Sequence, residues 1–376
     1  MTEARVVGTG RVAVVNGLRG LAIIGVLFQH LTSTWLTAHL RLVPGWQLAF
    51  VSNGWTGVNL FFILSGFVLF LPYADGRRRM GGLGDASRFY RHRFLRLMPL
   101  YYFVALVLLG VGAAGMTSAG FWFAARQLLL VRFVVTRYGF MPPLDYPLWS
   151  IGVEILFSVT FPLAVVLVAR LGLGRVLGLV LALALAARIA GRVWNPEPLG
   201  PNFISDNLPG RIDEFVLGMA IARLYALGRV PAWAPRLIGP GVVLILLSWQ
   251  GFFRCQYTGV STVVMSPLND VLDAGFCCLL LGALGWERSG RSVFAFAPLQ
   301  VIGMMCYSIY IWHAPVLASL TPIAGAVPAV LLVLTLAAFT YRYIEFGRER
   351  NPRTLFLWPS RVGAVVAAPA RTPDLP

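Results

Sequence analysis

Residues 12–35 read VAVVNGLRGLAIIGVLFQHLTSTW, an apolar run interrupted by Arg19 and His30. About 20 such residues in a helix span the roughly 30 Å hydrocarbon core of a bilayer, so the stretch predicts a membrane helix. Arg19 and His30 stand eleven residues apart. That is about three helical turns, roughly 16 Å of rise with only about 20° of drift, so both side chains project from one face. Ionisable groups at membrane depth are costly and face a protein interior or a wet cavity, which marks the pair as a candidate site. The structural alternative is that Arg19 snorkels to the headgroups and His30 hydrogen-bonds a neighbouring helix.

The remainder of the chain extends this pattern. Of 376 residues, 58% are hydrophobic and 12% charged, too little polar surface to cover a soluble globule of this size. Further apolar segments lie near 55–73, 95–115, 147–169, 172–191, 210–228, 235–253, 269–286, 298–319 and 322–345. They predict an all-α polytopic membrane protein, a bundle of about ten transmembrane helices in the cell inner (plasma) membrane. The segment Phe121–Val135 is short and carries Arg126 and Arg132, so it is expected to be interfacial or re-entrant. No cleavable signal peptide is expected, because polar residues 1–11 precede a segment too long for a signal h-region. The expected division is a cytoplasmic segment 1–11, a membrane domain 12–346 and a cytoplasmic tail 347–376. Cys255, Cys277, Cys278 and Cys306 lack metal-ligand spacing and read as packing residues.

Orientation follows from the arginines, because positive loops stay in the cytoplasm. All 31 basic residues are arginine, and placing the N-terminus inside puts 22 of them on the cytoplasmic side. Arg19 lies in a span and the other eight fall in or near outer loops. The net charge of +16 therefore reflects topology and contact with anionic membrane lipid or an anionic cytoplasmic substrate, and requires no nucleic acid.

The loop after the second span holds Arg77, Arg78 and Arg79, then Arg88, Arg91, Arg93 and Arg96 in RFYRHRFLRLMP. Arg93 and Arg96 share a helical face. With no carboxylate in the stretch after Asp85, their guanidinium groups are read as unpaired by protein and open to phosphates, whether of lipid or of a specific ligand. Two more constellations lie in spans. PLWSIGVEILF puts Ser150 and Glu154 on one helical face beside Trp149, and YSIYIWHAP steps Tyr307, Tyr310 and His313 at i, i+3. Interface anchoring and helix-to-helix hydrogen bonds account for the tyrosines equally well. Arg211 with Glu214, and Arg342 with Glu345, read as i, i+3 ion pairs.

The order NGLRGLAIIGVLFQH, GVNLFFILSGF, YRHRFLRLMPLYY, PLWSIGVE, RIDEFVLGMAIA, YSIYIWHAP resembles the bacterial acyltransferase 3 family of integral-membrane O-acyltransferases over about residues 14–346. The Arg-x10-His of Arg19 and His30 and the Arg-x-x-Arg of Arg93 and Arg96 carry most of that resemblance. It implies acyl transfer from acyl-CoA, acetyl-CoA or another short acyl-CoA, to a hydroxyl of a sugar, a polysaccharide or a macrolide, with no metal. On this reading Arg19, Arg93 and Arg96 hold the phosphates of the donor, His30 is the general base and Glu154 orients it. Trp149, Ser150, Tyr307, Tyr310 and His313 line the pocket. The chain departs from the usual family pattern at Asn16 and Asn59, where Asp is common, and at Phe157-Ser158, where Phe-Tyr is common. No further hydrolase-like domain is expected, since about thirty residues follow Glu345. The rival reading is a transporter whose substrate or proton path runs through Arg19, His30 and Glu154, although the internal repeats usual in such folds are absent.

Overall fold

A bundle needs helix breaks where the chain turns and small residues where helices touch, and both are present. The computed structural model describes residues 13–39, 45–287 and 293–346; the expected terminal segments 1–11 and 347–376 lie outside the described residues. Among the described residues there is no strand.

The helices are α1 (Ala13–His39), α2 (Gly45–Ser52), α3 (Gly57–Ala74), α4 (Leu83–Gly112), α5 (Ser118–Leu129), α6 (Leu148–Leu171) and α7 (Leu173–Trp194). They continue with α8 (Leu208–Ala226), α9 (Ile238–Tyr257), α10 (Met265–Glu287), α11 (Ala297–Met304), α12 (Cys306–Ala324) and α13 (Ala326–Thr340). All ten apolar segments of the sequence form helices. Among the described residues eight helices are long and apolar enough to cross a membrane, and α11 with α12, bent by 71°, makes a ninth if the pair is one span. The tenth, α8, carries Arg211, Asp213, Glu214 and Arg223 and is more charged than a simple apolar span. Residues 121–135 form α5 and a short 3-10 turn at Arg132–Val134, not a span.

Capping and turn chemistry explain the breaks. Asn207 accepts the Leu208 N–H at 2.8 Å at the start of α8, satisfying an orphan donor of its first turn. Gly172, at φ 84°, separates α6 from α7 in a conformation that disfavours residues with a Cβ. A π-helical turn, Tyr341–Glu345, continues α13.

The core is aromatic and aliphatic. Phe215 of α8 stacks on Phe62 of α3 at 4.7 Å and on Phe157 of α6 at 3.9 Å. The backbones of α3 and α8 approach so closely that a Cβ at Gly66 would meet the Phe215 carbonyl, and one at Gly218 the Ile63 carbonyl. Such small-residue contacts let membrane helices pack. The outside of the bundle is apolar too, with Leu106, Leu163, Leu179, Leu247, Leu331 and Phe339 exposed, as a lipid-facing surface requires. A soluble fold of this size would place charged residues there.

Candidate active site

Helix α1 brings polar residues to two depths. At one level Arg19 lies within electrostatic reach of Arg93 and Arg96 of α4 and of Glu154 of α6. Arg93 forms a salt bridge with Glu154, and its Nε donates to Ser158 Oγ at 3.0 Å. Arg96 forms a salt bridge with Glu345, the last residue of the π-helical turn, which also accepts from Ser308 Oγ at 2.6 Å. The Arg96 guanidinium lies 4.7 Å from the Phe346 ring centroid and 5.9 Å from that of Tyr307, whose hydroxyl donates to the Leu97 carbonyl at 2.7 Å. Among the described residues Arg19 makes no hydrogen bond or ion pair, so this centre of three arginines and two carboxylates retains one unpaired cation.

The second centre surrounds His30, about 16 Å along α1 from Arg19. His30 Nδ1 and the Tyr146 hydroxyl are 2.6 Å apart, and the His30 ring meets that of His313 edge-on at 4.7 Å. His313 is fully buried, and its Nδ1 bonds the Tyr310 carbonyl. A carbonyl only accepts, so the Nδ1 of His313 carries the proton and its Nε2 presents a lone pair. That Nε2 is buried without a partner among the described residues. Tyr310 OH and Ser150 Oγ are 2.7 Å apart, and both reach the Pro147 carbonyl, at 3.0 and 3.2 Å. These bonds fasten the turn before α6 onto α12. Burial, with the nearby Asp145 carboxyl adding to it, pushes the Tyr146 hydroxyl up to about 12, so it acts as a neutral hydrogen-bonding group at physiological pH.

The arrangement corrects several sequence expectations. Glu154 does not meet His30; it pairs with Arg93, and the group on His30 Nδ1 is Tyr146. The Arg-x-x-Arg pair is not left unpaired by protein, because Glu154 and Glu345 arrive from other helices. Glu345 bonds Arg96 in place of the expected Arg342. Of the expected pocket residues, Ser150, Tyr310 and His313 gather at His30 and Tyr307 belongs to the arginine centre. Trp149 packs its ring against Phe140 at 5.9 Å. Tyr146 carried no signal in the sequence, since it lies in a turn outside any helical period.

A third polar group ties α7, α8 and α10 together. Arg188, Arg192 and Arg211, assigned from sequence to outer loops or their edges, are buried. Arg188 bonds Asp213 at 2.8 Å and Arg211 bonds Glu214 at 2.7 Å, the latter as its i, i+3 spacing predicts. Against the cost of burial, Arg211 and Arg192 hold Asp206 below the usual carboxylate range. Asn59 reaches Glu214, Asn269 and Asp273 at 3.0, 2.9 and 3.1 Å. Asp213, Glu214 and Asp273 bring carboxylate oxygens within 4.8 Å of one another, and the arginines and asparagines bond them. The adjoining cavity is about 20 Å³, room for one water.

Comparison with known proteins identifies a family. The acyltransferase 3 family model, described as an acyltransferase domain, matches residues 12–344. The chain is 24% identical to the peptidoglycan O-acetyltransferase OatA of Listeria monocytogenes over 90% of its own length and 56% of that protein. It is 23% identical to the O-acetyltransferase OatA of Staphylococcus aureus over 93% of its length and 59% of that protein. The chain thus spans little more than half the length of these relatives. No solved structure matches it.

Proposed function

Because the chain belongs to the acyltransferase 3 family, we propose that it moves an acyl group from acyl-CoA to a hydroxyl of a sugar, polysaccharide or macrolide-type metabolite at the plasma membrane. The observation that carries this reading is the alignment of the two centres: α1 and α12 both run from the arginines to the histidine pair, Arg19 to His30 and Tyr307 to His313. A donor with phosphates at one end and a thioester at the other fits such a seam. The named activity of the Listeria relative favours an acetyl group and a glycan hydroxyl.

The arginine centre binds the phosphates of the donor, with Arg19 as its unpaired cation and Arg93 and Arg96 held in place by Glu154 and Glu345. At the histidine centre His30 takes the proton of the acceptor hydroxyl as its oxygen attacks the thioester carbon. The tetrahedral intermediate then collapses, the carbon–sulfur bond breaks, and the proton passes from His30 to the departing thiolate. Tyr146 orients the ring through Nδ1. Family membership favours transfer over transport.

The test is CoA release by membranes containing the protein, supplied with acetyl-CoA and glycan or macrolide acceptors. Wild type is expected to release CoA only when an acceptor is present. His30→Gln keeps a hydrogen bond but cannot take a proton near neutral pH, and is expected to lose about 10²- to 10⁴-fold in turnover at normal abundance. Undiminished turnover in His30→Gln would transfer the role of base to His313, whose Nε2 lone pair is already poised.

A further inference from the structure

The turn before α6 contains a side chain that the fold leaves without a partner. Asp145 is 2% exposed, and among the described residues neither of its carboxyl oxygens has a hydrogen-bond partner. It follows Leu144, held at φ 74°, a conformation costly to a residue with a Cβ and usually retained where the surroundings enforce it. The surroundings here do so: Pro147 accepts from Tyr310 and Ser150, and Tyr146 bonds His30. Asp145 therefore sits on a fastened turn, within electrostatic reach of the Tyr146, Tyr310 and Tyr101 hydroxyls. An unpartnered buried carboxyl weakens a fold, and an apolar residue in its place would be tolerated better.

We propose that Asp145 is a further catalytic residue, whose carboxyl donates a hydrogen bond to the carbonyl oxygen of the acyl group in transit. The proposal rests on the acyl-transfer reading above. Burial raises the pKa of Asp145 well above the usual carboxylate value, so the group is held as an acid with an O–H to donate. As the acceptor oxygen bonds to the acyl carbon, the π electrons of the carbonyl move onto its oxygen, where the Asp145 O–H stabilises them. Collapse returns the pair to the carbonyl as the carbon–sulfur bond breaks, and Asp145 keeps its proton throughout. His313 Nε2, also unpartnered among the described residues, is an acceptor and cannot serve that oxygen. The two groups have opposite hydrogen-bonding sense, one for the developing oxyanion and one for a hydroxyl.

The test compares Asp145→Leu and Asp145→Asn with wild type in kcat, KM for the donor, thermal midpoint and infrared difference spectrum. Asp145→Leu is expected to lose about 10²- to 10³-fold in kcat, the usual cost of one oxyanion donor, with KM little changed and a thermal midpoint at or above that of wild type. Asp145→Asn keeps an N–H donor and is expected to stay within about tenfold of wild type. The protonated-carboxyl band at neutral pH should disappear in Asp145→Asn. Wild-type kcat in Asp145→Leu, an Asn variant as inactive as the Leu variant, or absence of the band would each overturn the proposal. If Asp145→Leu does not fold, the Asn variant and the band still decide it. Absence of acyl transfer by wild type with the band present would overturn the proposal through the reading beneath it.

Discussion

Arg19, Arg93 and Arg96 carry the same charge, yet their pairing makes them unequal. Arg93 and Arg96 each spend donors on a carboxylate, whereas Arg19 has no partner among the described residues and on the proposed reading offers its five N–H groups to the donor. A charge-assisted contact is worth about 1.5–3 kcal/mol, so Arg19→Ala should raise the KM for acyl-CoA about ten- to a hundredfold, with a smaller rise in Arg93→Ala. An unchanged donor KM in Arg19→Ala would return that residue to lipid contact. Glu154 sharpens the point. Glu154→Gln should change the donor KM through Arg93 and leave the proton-transfer step intact, and steady-state kinetics at saturating donor would show whether kcat survives. The Arg19–His30 face was legible in the sequence because helical period fixes relations within one helix. The partners of Arg93 and Arg96 were not, because they come from helices 61 and 249 residues away in sequence. Glu345 also shows the limit of local spacing: Arg342 sits at i, i+3, but Arg96 competes from another helix and forms the pair.

At the scale of elements, the two centres form because α1, α4, α6 and α12 converge, and that convergence is braced by the closer pairing of α3 with α8. Gly66 and Gly218 set the distance of that pair. Gly218→Leu would drive a side chain into the Ile63 carbonyl, and overpacking of this kind costs about 1–3 kcal/mol or more. The expected result is a lower thermal midpoint in detergent and reduced abundance. Gly178→Leu on α7, where a Cβ meets nothing within 4 Å, is the matched control and should behave as wild type; equal loss in both variants would mean that added bulk, not the contact, is responsible. The length of the apolar runs located every one of these helices. Their pairing was hidden, because an all-apolar helix presents no preferred face until a neighbour's shape selects one. The turn from 144 to 147 was hidden for a related reason: its structure depends on bonds to α12 and α1, and no periodicity marks it.

Over the whole molecule, charge and topology constrain each other. Alternating crossings from α1 onward, with α8 counted as one, bring the ends of α3, α6, α8 and α10 to a single side. Two contacts agree with this alternation: Arg223 near the end of α8 donates to the Ala74 carbonyl at the end of α3 at 2.9 Å, and Val14 N–H reaches Glu287 at the end of α10 at 3.4 Å. Arg77, Arg78, Arg79, Arg170, Arg175, Arg223, Arg229 and Arg236 all belong to loops or helix ends on that side. By the positive-inside tendency that side is expected to face the cytoplasm. Arg19 and the arginine pair of α4 lie nearer that side, from which the donor proposed above would arrive, while the Tyr146 end of the histidine centre lies toward the opposite face. Reporter fusions after Arg79 and after Arg229 should both read as cytoplasmic, and one after Asn202 as external. If the fusion after Arg229 reads as external while that after Arg79 does not, α8 fails to cross and its four charges lie in a re-entrant segment. If both arginine-rich positions read as external, the orientation is inverted and the donor would have to approach from outside the cell.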